Sequence, residues 1–274
     1  MSIIEKAVGK AGRGARPAAQ PPAVRPPGPE SRPQAGREHA VELAQASDYD
    51  MRQFAGAEQL QREFRFLKRP LLARVFGLSR SGAKPGGLVM ITSCMPQAGK
   101  TFISFNLAQS IAAEQMTSVV LIDADPIRRR LSEALGEQER PGLTDLLADD
   151  SLSLDELLAD TDLDSLQFLP AGSRRADATE LLAGRRMDDV LADLSRRPDL
   201  VVLLDSPPVL LTSEARALAE KIDHVVLVLA AGETGAAELN EALQMLTGIG
   251  ASVSVVLNKA RVDSRRYRQE YYEY

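Results

Sequence analysis

The stretch that decides the fold of this chain is Leu88-Val-Met-Ile-Thr-Ser-Cys-Met-Pro-Gln-Ala-Gly-Lys-Thr101. Its first five residues have the length and apolarity of a buried β-strand, and a helical pattern follows from Thr101 to Glu114. A loop that joins a strand to a helix and ends in Gly-Lys-Thr is typical of a phosphate-binding loop. The backbone N–H groups of such a loop, with the helix N-terminus, face the phosphates of a nucleotide.

The loop predicts a site for ATP and Mg²⁺. Lys100 would reach the β- and γ-phosphates, and the Thr101 hydroxyl would ligate the metal ion. Nucleotide contacts are expected from Pro96, Gln97, Ala98, Gly99, Lys100, Thr101 and Phe102. The strict pattern starts with Gly six residues before the Lys, and Cys94 stands at that position. A chance turn with the same letters therefore remains an alternative for the loop taken alone.

Three carboxylates follow two other apolar runs. Val119-Val-Leu-Ile-Asp-Ala-Asp125 ends in Asp123 and Asp125, and Leu203-Leu-Asp-Ser-Pro-Pro208 carries Asp205. A single Asp after a strand is often a helix N-cap. The carboxyl ends of parallel strands, however, converge on one edge of a sheet, where ligands bind. We therefore predict that Thr101, Asp123 and Asp205 hold the metal, directly or through water, beside Lys100.

The remaining pattern predicts an α/β fold. Short apolar runs at 118–122, 200–204, 224–229 and 252–257 read as buried strands, and helical patterns occupy 143–147, 154–159, 178–194, 213–221 and 236–246. Strands that are apolar on both faces and alternate with helices indicate a doubly wound parallel sheet with helices on both faces. Upstream, apolar residues recur at helical spacing from Phe54 to Leu71, with an interruption expected at Pro70.

Composition divides the chain into three parts. Residues 12–38 hold seven of the sixteen prolines, mixed with Gly, Ala, Arg and Gln, and cannot bury enough apolar surface to offset their ordering entropy. We predict that residues 1–50 form a largely disordered segment, residues 51–260 the folded domain and residues 261–274 a flexible tail. The basic residues neither cluster nor interleave with aromatics, which excludes a nucleic-acid partner.

Composition also bears on location. The single cysteine excludes an intramolecular disulfide framework and fits a reducing compartment. No run approaches the roughly 18 apolar residues that span a bilayer, and the N-terminus lacks the apolar region of a signal peptide. We expect a soluble, cytoplasmic protein without direct membrane insertion, which reaches the inner membrane only through a partner.

The C-terminal tail concentrates tyrosine. Four of the five tyrosines of the chain are Tyr267, Tyr271, Tyr272 and Tyr274. A tyrosine-rich terminus can simply pack into a groove or a dimer interface, but residues 263–274 show no periodic apolar face to bury. Beside a phosphate-binding loop, these tyrosines are predicted to be phosphoacceptors, so that the chain is a kinase that carries its own substrate.

These motifs together resemble the bacterial tyrosine kinases (BY-kinases), cytoplasmic autokinases of capsule and exopolysaccharide assembly. The resemblance covers roughly residues 57–274 and rests on the loop Ser93–Thr101, on Asp123-Ala-Asp125, on Leu203–Pro208 and on the tyrosine tail. The opening Met-Ser-Ile-Ile-Glu-Lys-Ala is similar to the subgroup found with exosortase (PEP-CTERM) polysaccharide loci. The resemblance implies a P-loop NTPase-type fold and ATP-dependent tyrosine autophosphorylation, with Lys100, Asp123, Asp125 and Asp205 as catalytic residues.

The resemblance also implies partners. It suggests a phosphorylation-dependent homo-oligomer, a ring in this family, and a membrane-embedded polysaccharide co-polymerase or chain-length regulator. We expect the tail to be phosphorylated in trans, by a neighbouring copy. Asp123 or Asp125 would accept the phenolic proton, and the sequence does not decide between them. Asn258 would border the adenine, although a simple turn after the last strand is an equal alternative.

Several positions depart from the family pattern. Gln97 replaces a Gly, so the loop is expected to lose a residue free to take positive φ. Ile127 stands where an Arg is expected. Arg65 and Lys68 match the assembly motif Glu-x-x-Arg-x-x-Arg/Lys, but Arg62 replaces its Glu.

One competing class shares the fold and the loop. The MinD/ParA-type ATPase switches carry a lysine at the start of the loop, in Lys-Gly-Gly-x-Gly-Lys-Thr. Met95 occupies that position here. An ATPase switch without kinase activity also leaves the tyrosine tail unexplained, so it is kept as the alternative.

Overall fold

The fold is built on one seven-stranded sheet. The computed structural model describes residues 40–53, 57–76, 86–114, 117–222 and 224–260. The strands are β1 Gly87–Ser93, β2 Ser118–Asp123, β3 Ala159–Asp160, β4 Leu166–Leu169, β5 Leu200–Asp205, β6 His224–Ala230 and β7 Ser252–Asn258. Their order is β3-β4-β2-β5-β1-β6-β7. Every neighbouring pair is parallel except β3 with β4.

Nine α-helices connect and cover these strands in the described ranges. They are α1 Ala57–Val75, α2 Lys100–Ala112, α3 Arg130–Ala134, α4 Leu143–Ala148, α5 Leu154–Leu157, α6 Ala178–Ala183, α7 Arg185–Arg196, α8 Ser213–Ala219 and α9 Ala236–Gly248. The predicted α/β fold is confirmed.

The side chains of alternate strand residues belong to two separate core clusters. Val89 and Ile91 of β1 lie in a cluster with side chains of α1, α2 and α3, whereas Met90 lies in a second cluster with side chains of α4 to α9. Because successive side chains of a strand point to opposite faces, the helices cover both faces of the sheet. All residues of the central strand β5 are buried, as expected for a parallel strand covered on both sides.

Four details of the predicted pattern are wrong. The helix predicted over 178–194 is broken at Gly184 into α6 and α7. Ala159, predicted to be helical, belongs to β3. The pattern missed β3 and β4, which are only two and four residues long. The last strand is not fully buried: β7 lies at the sheet edge, and Leu257 is 60% exposed.

Pro70 does not interrupt its helix. The helix α1 continues through it from Ala57 to Val75. Proline removes the N–H that would bond to the carbonyl of Phe66, one turn earlier. Phe66 is 75% exposed, so this carbonyl lies on the solvent side of the helix, where water can satisfy it.

The packed part of the chain begins before residue 51. Val41, Leu43 and Ala46 are buried in the core cluster that contains α1 and α2. The backbone N–H of Val41 donates to Asp160, and the N–H of Asp162 donates back to Val41. The prediction assigned residues 41–50 to the N-terminal segment, whereas three of their apolar side chains are buried in this cluster. The predicted domain bounds stay a prediction. The predictions for residues 1–39 and for the tail lie outside the described residues.

Lys68, which matches the predicted assembly motif, is buried inside its own domain. Its side chain is 6% exposed, donates to the carbonyl of Ser110 on α2 and lies 2.9 Å from the Glu114 carboxylate. Arg62 and Arg65 of the same helix are exposed. Lys68 therefore ties α1 to α2 and is not available to a neighbouring copy.

Across the described ranges, no helix is both long enough and apolar enough to cross a membrane.

We expect Lys68→Ala to lower the free energy of unfolding by about 1–3 kcal/mol, because it leaves the half-buried Ser110 carbonyl without this donor and removes the ion pair with Glu114. The matched change Arg65→Ala, on the exposed side of the same helix, should stay within about 0.5 kcal/mol. Urea denaturation of both variants measures the difference. Equal stability of the two variants would show that Lys68 does not hold α1 in place.

Candidate active site

The loop between β1 and α2 has the backbone shape of a phosphate-binding loop. Gly99 takes φ 89° directly before the helix, and Gln97 takes φ 63°. The Ser93 hydroxyl donates to the carbonyl of Met95 at 2.7 Å, which closes the first turn of the loop. The expectation for Gln97 is therefore wrong: a non-glycine residue adopts the left-handed conformation here, at a cost of about 1–2 kcal/mol.

Asn258 fixes this loop from the end of β7. Its side-chain amide donates to the carbonyl of Ala98 at 2.9 Å. A Cβ added to Gly99 would lie 2.1 Å from the Asn258 Nδ2 atom. Glycine is favoured at residue 99 by its φ, and an added Cβ would also displace the Asn258 amide from the Ala98 carbonyl. The predicted contact of Asn258 with adenine stays a prediction.

Hydrogen bonds join the end of β1 to the segment after β5. The Ser206 hydroxyl and N–H both donate to the carbonyl of Ile91, at 2.9 and 3.0 Å. The Thr92 hydroxyl donates to the Pro207 carbonyl at 2.7 Å. These bonds hold Asp205, the last residue of β5, beside the phosphate-binding loop. The Ser104 hydroxyl of α2 also donates to Asp205 at 3.0 Å.

Asp123 and Asp205 form a buried pair of carboxylates. They are register partners at the ends of the adjacent strands β2 and β5, and both are at most 2% exposed. Burial, with the nearby negative charge of Asp205, raises the pKa of Asp123 to about 7. Burial also raises the pKa of Asp205, while Lys100 and the hydroxyls of Thr101 and Ser104 act against that rise.

Ser132 on α3 holds the Asp123 carboxylate in place. Its N–H and its hydroxyl both donate to Asp123 Oδ2, at 2.8 and 2.7 Å, and its oxygen accepts the N–H of Ala171. The N–H of Asp125 reaches the other carboxylate oxygen of Asp123 at 3.2 Å. These donors stabilise the charged form and fix the orientation of the carboxylate.

Lys100 lies among these carboxylates. Its side chain is 6% exposed, and its Nζ atom is 4.0 Å from the carboxylate of Asp125. The N–H of Arg128 donates to the other oxygen of Asp125 at 3.0 Å. The loop lysine is therefore buried and held by an acidic neighbour, and it faces the space above the loop.

That space is a cleft of about 130 Å³. It is lined by Tyr49, Gln97, Gly99, Lys100, Thr101, Phe102, Arg128 and Arg130. Tyr49, Arg128 and Arg130 were not predicted from the sequence, and neither were Ser104 and Ser132 behind the carboxylates. Tyr49 and Ser132 come from segments without a predicted period, and Ser104 lies in a predicted helix whose pattern does not distinguish it. Only the Arg128–Arg130 run after a strand was visible in the sequence.

The predicted site residues fall into two groups. The structure brings Gln97, Gly99, Lys100, Thr101 and Phe102 to the cleft. The other predicted residues lie behind or beside it: Pro96 and Asn258 are half-buried, and Ala98, Asp123, Asp125 and Asp205 are buried. Tyr267, Tyr271, Tyr272 and Tyr274 lie outside the described residues.

Cys94 is fully buried, and burial raises the pKa of its thiol.

The donors present fit Mg²⁺. No group of three or more His, Cys, Asp or Glu that could hold a metal ion occurs in the described ranges. Mg²⁺ is usually bound by one or two carboxylates with water and substrate phosphates rather than by an all-protein cage. The Thr101 hydroxyl bonds to Asp205, which is the register partner of Asp123. Two buried carboxylates with like charge are also the arrangement that a divalent cation stabilises.

We expect Gly99→Ala to abolish nucleotide binding, because its new Cβ meets the Asn258 amide and its φ is strained. Gly250→Ala is the matched control: Gly250 has φ 85° but nothing within 4 Å of an added Cβ. The control should lose about 1–2 kcal/mol of stability and keep its affinity for ATP. Isothermal titration with Mg-ATP measures the affinity of both variants, and urea denaturation measures their stability. Normal binding by Gly99→Ala would contradict the role of the close approach.

The chain is similar to proteins that are named as tyrosine-protein kinases. No protein-family model matches the chain. An EpsB protein of Ralstonia nicotianae is 32% identical over 196 residues, which cover 72% of this chain and 25% of EpsB. The tyrosine-protein kinase CpsD of Streptococcus pneumoniae is 30% identical over 182 residues, 66% of this chain and 79% of CpsD. The VpsO kinase domain has a TM-score of 0.63 at 32% identity and covers 74% of this chain and 96% of that domain.

The extent of these matches differs between relatives. The chain spans about a quarter of the length of EpsB but most of CpsD and nearly all of the VpsO kinase domain. The fold agrees with these matches. The chain belongs to the family of bacterial tyrosine-protein kinases.

Proposed function

We propose that this chain is an ATP-dependent protein-tyrosine autokinase, which phosphorylates its own C-terminal tyrosine cluster and thereby regulates exopolysaccharide or capsule biosynthesis and export. The observation that carries the proposal is the position of Lys100. It is buried at the start of α2, beside Asp125, and lines an open cleft together with Thr101. A lysine held there neutralises the charge of transferring phosphates, and such positioning supplies most of the catalysis in phosphoryl transfer.

The other site residues would bind the phosphates, hold the metal and accept the phenolic proton. The N–H groups at the start of α2 face the cleft and bind phosphate oxygens. Mg²⁺ would be held by Thr101, Asp123 and Asp205, and when bound it neutralises charge on the β- and γ-phosphates. Asp125 accepts the phenolic proton in this proposal, because Asp123 is already engaged by Ser132 and by the N–H of Asp125.

The acceptors are Tyr267, Tyr271, Tyr272 and Tyr274, phosphorylated in trans. The strand β7 ends at Asn258, whose side chain already touches the phosphate-binding loop. Only a short stretch separates this point from Tyr267, so a return into the same cleft requires a tight reversal. Insertion into the cleft of a neighbouring copy avoids that reversal.

Two partners belong to the proposal. One is a second copy of the chain. Arg65 of the assembly motif, and Arg62 in place of its Glu, are exposed for that contact, whereas Lys68 is buried. The other is a membrane-embedded polysaccharide co-polymerase, which would recruit the kinase from the cytoplasm to the inner membrane and stimulate it.

An ATPase switch of the MinD/ParA type remains the alternative function. It would use the same cleft without a protein acceptor. Met95, at the position of the signature lysine of that class, is 40% exposed and carries no charge. Phosphate on the tail tyrosines separates the two functions, since only the kinase produces it.

We expect Lys100→Met to lower tail phosphorylation by at least about 100-fold, because the loop loses its buried cation. Lys221→Met is the matched control: Lys221 pairs with Asp188 and precedes β6, at the opposite end of the sheet from the cleft. Mass spectrometry of the tail after incubation with Mg-ATP measures the phosphate, and circular dichroism checks the fold. Full phosphorylation of a folded Lys100→Met protein would sink the kinase assignment.

We also expect phosphorylation to reduce the mass of the particle in solution. Residues 261–274 carry four Arg against three acidic side chains, so the free tail is close to neutral. Each phosphotyrosine adds about −1.5 to −2 charges, which repel the carboxylates and nucleotide of a neighbouring site. Light scattering should find oligomers for Lys100→Met and monomers after autophosphorylation. The same mass in both states would rule out this charge switch.

A further inference from the structure

We propose that three exposed arginines beside the cleft, Arg128, Arg130 and Arg174, form a docking surface that selects acceptor tyrosines with an acidic residue two positions away along the chain. We call this surface the basic rim. The inference rests on the proposed kinase function and deepens it, because it names the class of acceptor segments and the order in which the tail tyrosines react. Arg128 and Arg130 line the cleft, and Arg174 follows β4, the neighbour of β2 in the sheet.

Arg129 holds the two segments of the rim together. Its guanidinium turns inward, and its Nη1 atom donates to the carbonyls of Gln138 and Gly172 at 2.9 and 3.0 Å. Gly172 lies two residues before the third rim arginine, in the loop that follows β4. The backbone of Arg129 takes φ 49°, which is uncommon for a residue other than glycine. This turn leaves its neighbours Arg128 and Arg130 exposed on the side of the cleft.

The rim carries positive charge that is available to an acidic ligand. Arg174 lies 3.7 Å from the carboxylate of Glu133, and both side chains are at least 50% exposed. Glu133 is three residues after Arg130 on α3, so their side chains are neighbours on one face of the helix. Within the described ranges, no carboxylate pairs with the side chain of Arg128 or Arg130. Because an exposed ion pair contributes little to stability, a carboxylate from a bound segment can take the place of Glu133.

The tail has acidic residues at a spacing that fits this surface. A segment that enters the cleft in extended form places every second side chain on one side, about 6.6 Å apart. Glu273 lies two positions after Tyr271, and Glu270 lies two positions before Tyr272. With either tyrosine in the cleft, a carboxylate on the same side of the segment reaches the rim.

Tyr267 has different neighbours at this spacing. Arg265 lies two positions before it, and the uncharged Gln269 lies two positions after it. An arginine opposite the rim is repelled by its like charge, and an amide gains no ion pair there. The rim therefore favours phosphorylation of Tyr271 and Tyr272 before Tyr267.

Docking and product release act at different ends of the segment. The rim holds the acidic residue, whereas the tyrosine enters the cleft beside the buried Asp123 and Asp125. There the γ-phosphorus of ATP forms a bond to the tyrosine oxygen, its bond to the bridging oxygen breaks, and ADP leaves with that oxygen. The phenolic proton passes to Asp125, as proposed above. The new phosphate lies at the inner end, where the carboxylates repel it, so the rim favours arrival of the acceptor without retaining the product.

The experiment separates the enzyme from the acceptor. The enzyme is the full chain with its four tail tyrosines replaced by Phe, and the acceptor is the full Lys100→Met chain, which keeps its tail. Mass spectrometry follows phosphate on each tail tyrosine after addition of Mg-ATP. The enzyme is tested unaltered, with Arg130→Gln and with Arg174→Gln. Arg196→Gln is the matched control, because the Arg196 side chain is 71% exposed at the end of α7, before β5 begins, at the opposite edge of the sheet.

We expect the unaltered enzyme to label Tyr271 and Tyr272 before Tyr267. Each rim variant should raise the acceptor concentration for half-maximal rate by about threefold, as for one exposed ion pair, with kcat within about twofold. Arg174→Gln should leave the KM for Mg-ATP unchanged, because Arg174 is not among the described residues that line the cleft.

A second acceptor isolates the ion pairs. Glu270→Gln with Glu273→Gln in the acceptor should raise the half-maximal concentration for the unaltered enzyme, with no further rise for the rim variants. Rim variants that slow this neutral acceptor as much as the acidic one would overturn the inference, and so would labelling of Tyr267 as early as Tyr271. An equal rise with Arg196→Gln would overturn it as well. Tail tyrosines without phosphate in every combination would instead overturn the proposed function.

Discussion

The whole site depends on two carboxylates of like charge, which are buried at the ends of neighbouring strands. Asp123 and Asp205 are register partners, and neither has water around it to screen the other. An unpaired buried carboxylate is expensive, so each must be surrounded by donors or lose its charge. The chain supplies Ser132 for Asp123 and Ser104 for Asp205, with Lys100 close to both Asp125 and Asp205. The short helix α3 and the first turns of α2 are placed where these donors are needed.

The phosphate-binding loop depends on contacts from both sides of β1. On one side Ser206 and Thr92 join β1 to the segment after β5, and on the other Asn258 of β7 donates to the Ala98 carbonyl. The loop is thus held by residues more than a hundred positions away along the chain. This explains how Gln97 takes a positive φ without glycine: the fold fixes the residues around it and bears the strain.

The elements with a clear hydrophobic period, and the polar residues that directly follow a strand, could be predicted from the sequence. Lys100, Asp123 and Asp205 could be placed together because parallel strands end at one edge. Ser132 and Tyr49 could not, since their approach to the site depends on how α3 and residues 40–50 pack, which no local pattern encodes. β4 was missed because four residues are too few for a period, and Gly184 breaks a helix whose apolar spacing continues across it. Lys68 matched a motif for assembly, yet its burial could be seen only from the packing of α1 on α2.

The buried charges beside the cleft are negative and the exposed charges that line it are positive. This arrangement determines which molecules can enter the cleft. The carboxylates beside the cleft are buried, with Asp123, Asp125 and Asp205 all at most 4% exposed, whereas the exposed charged side chains that line the cleft are Arg128 and Arg130. A triphosphate can lie over these carboxylates only with cations between them, which Lys100 and a divalent ion supply. An acceptor, by contrast, first meets the outer arginines. In the proposed function, a tail tyrosine next to an acidic residue, such as Tyr271 after Glu270, would approach a surface of opposite charge.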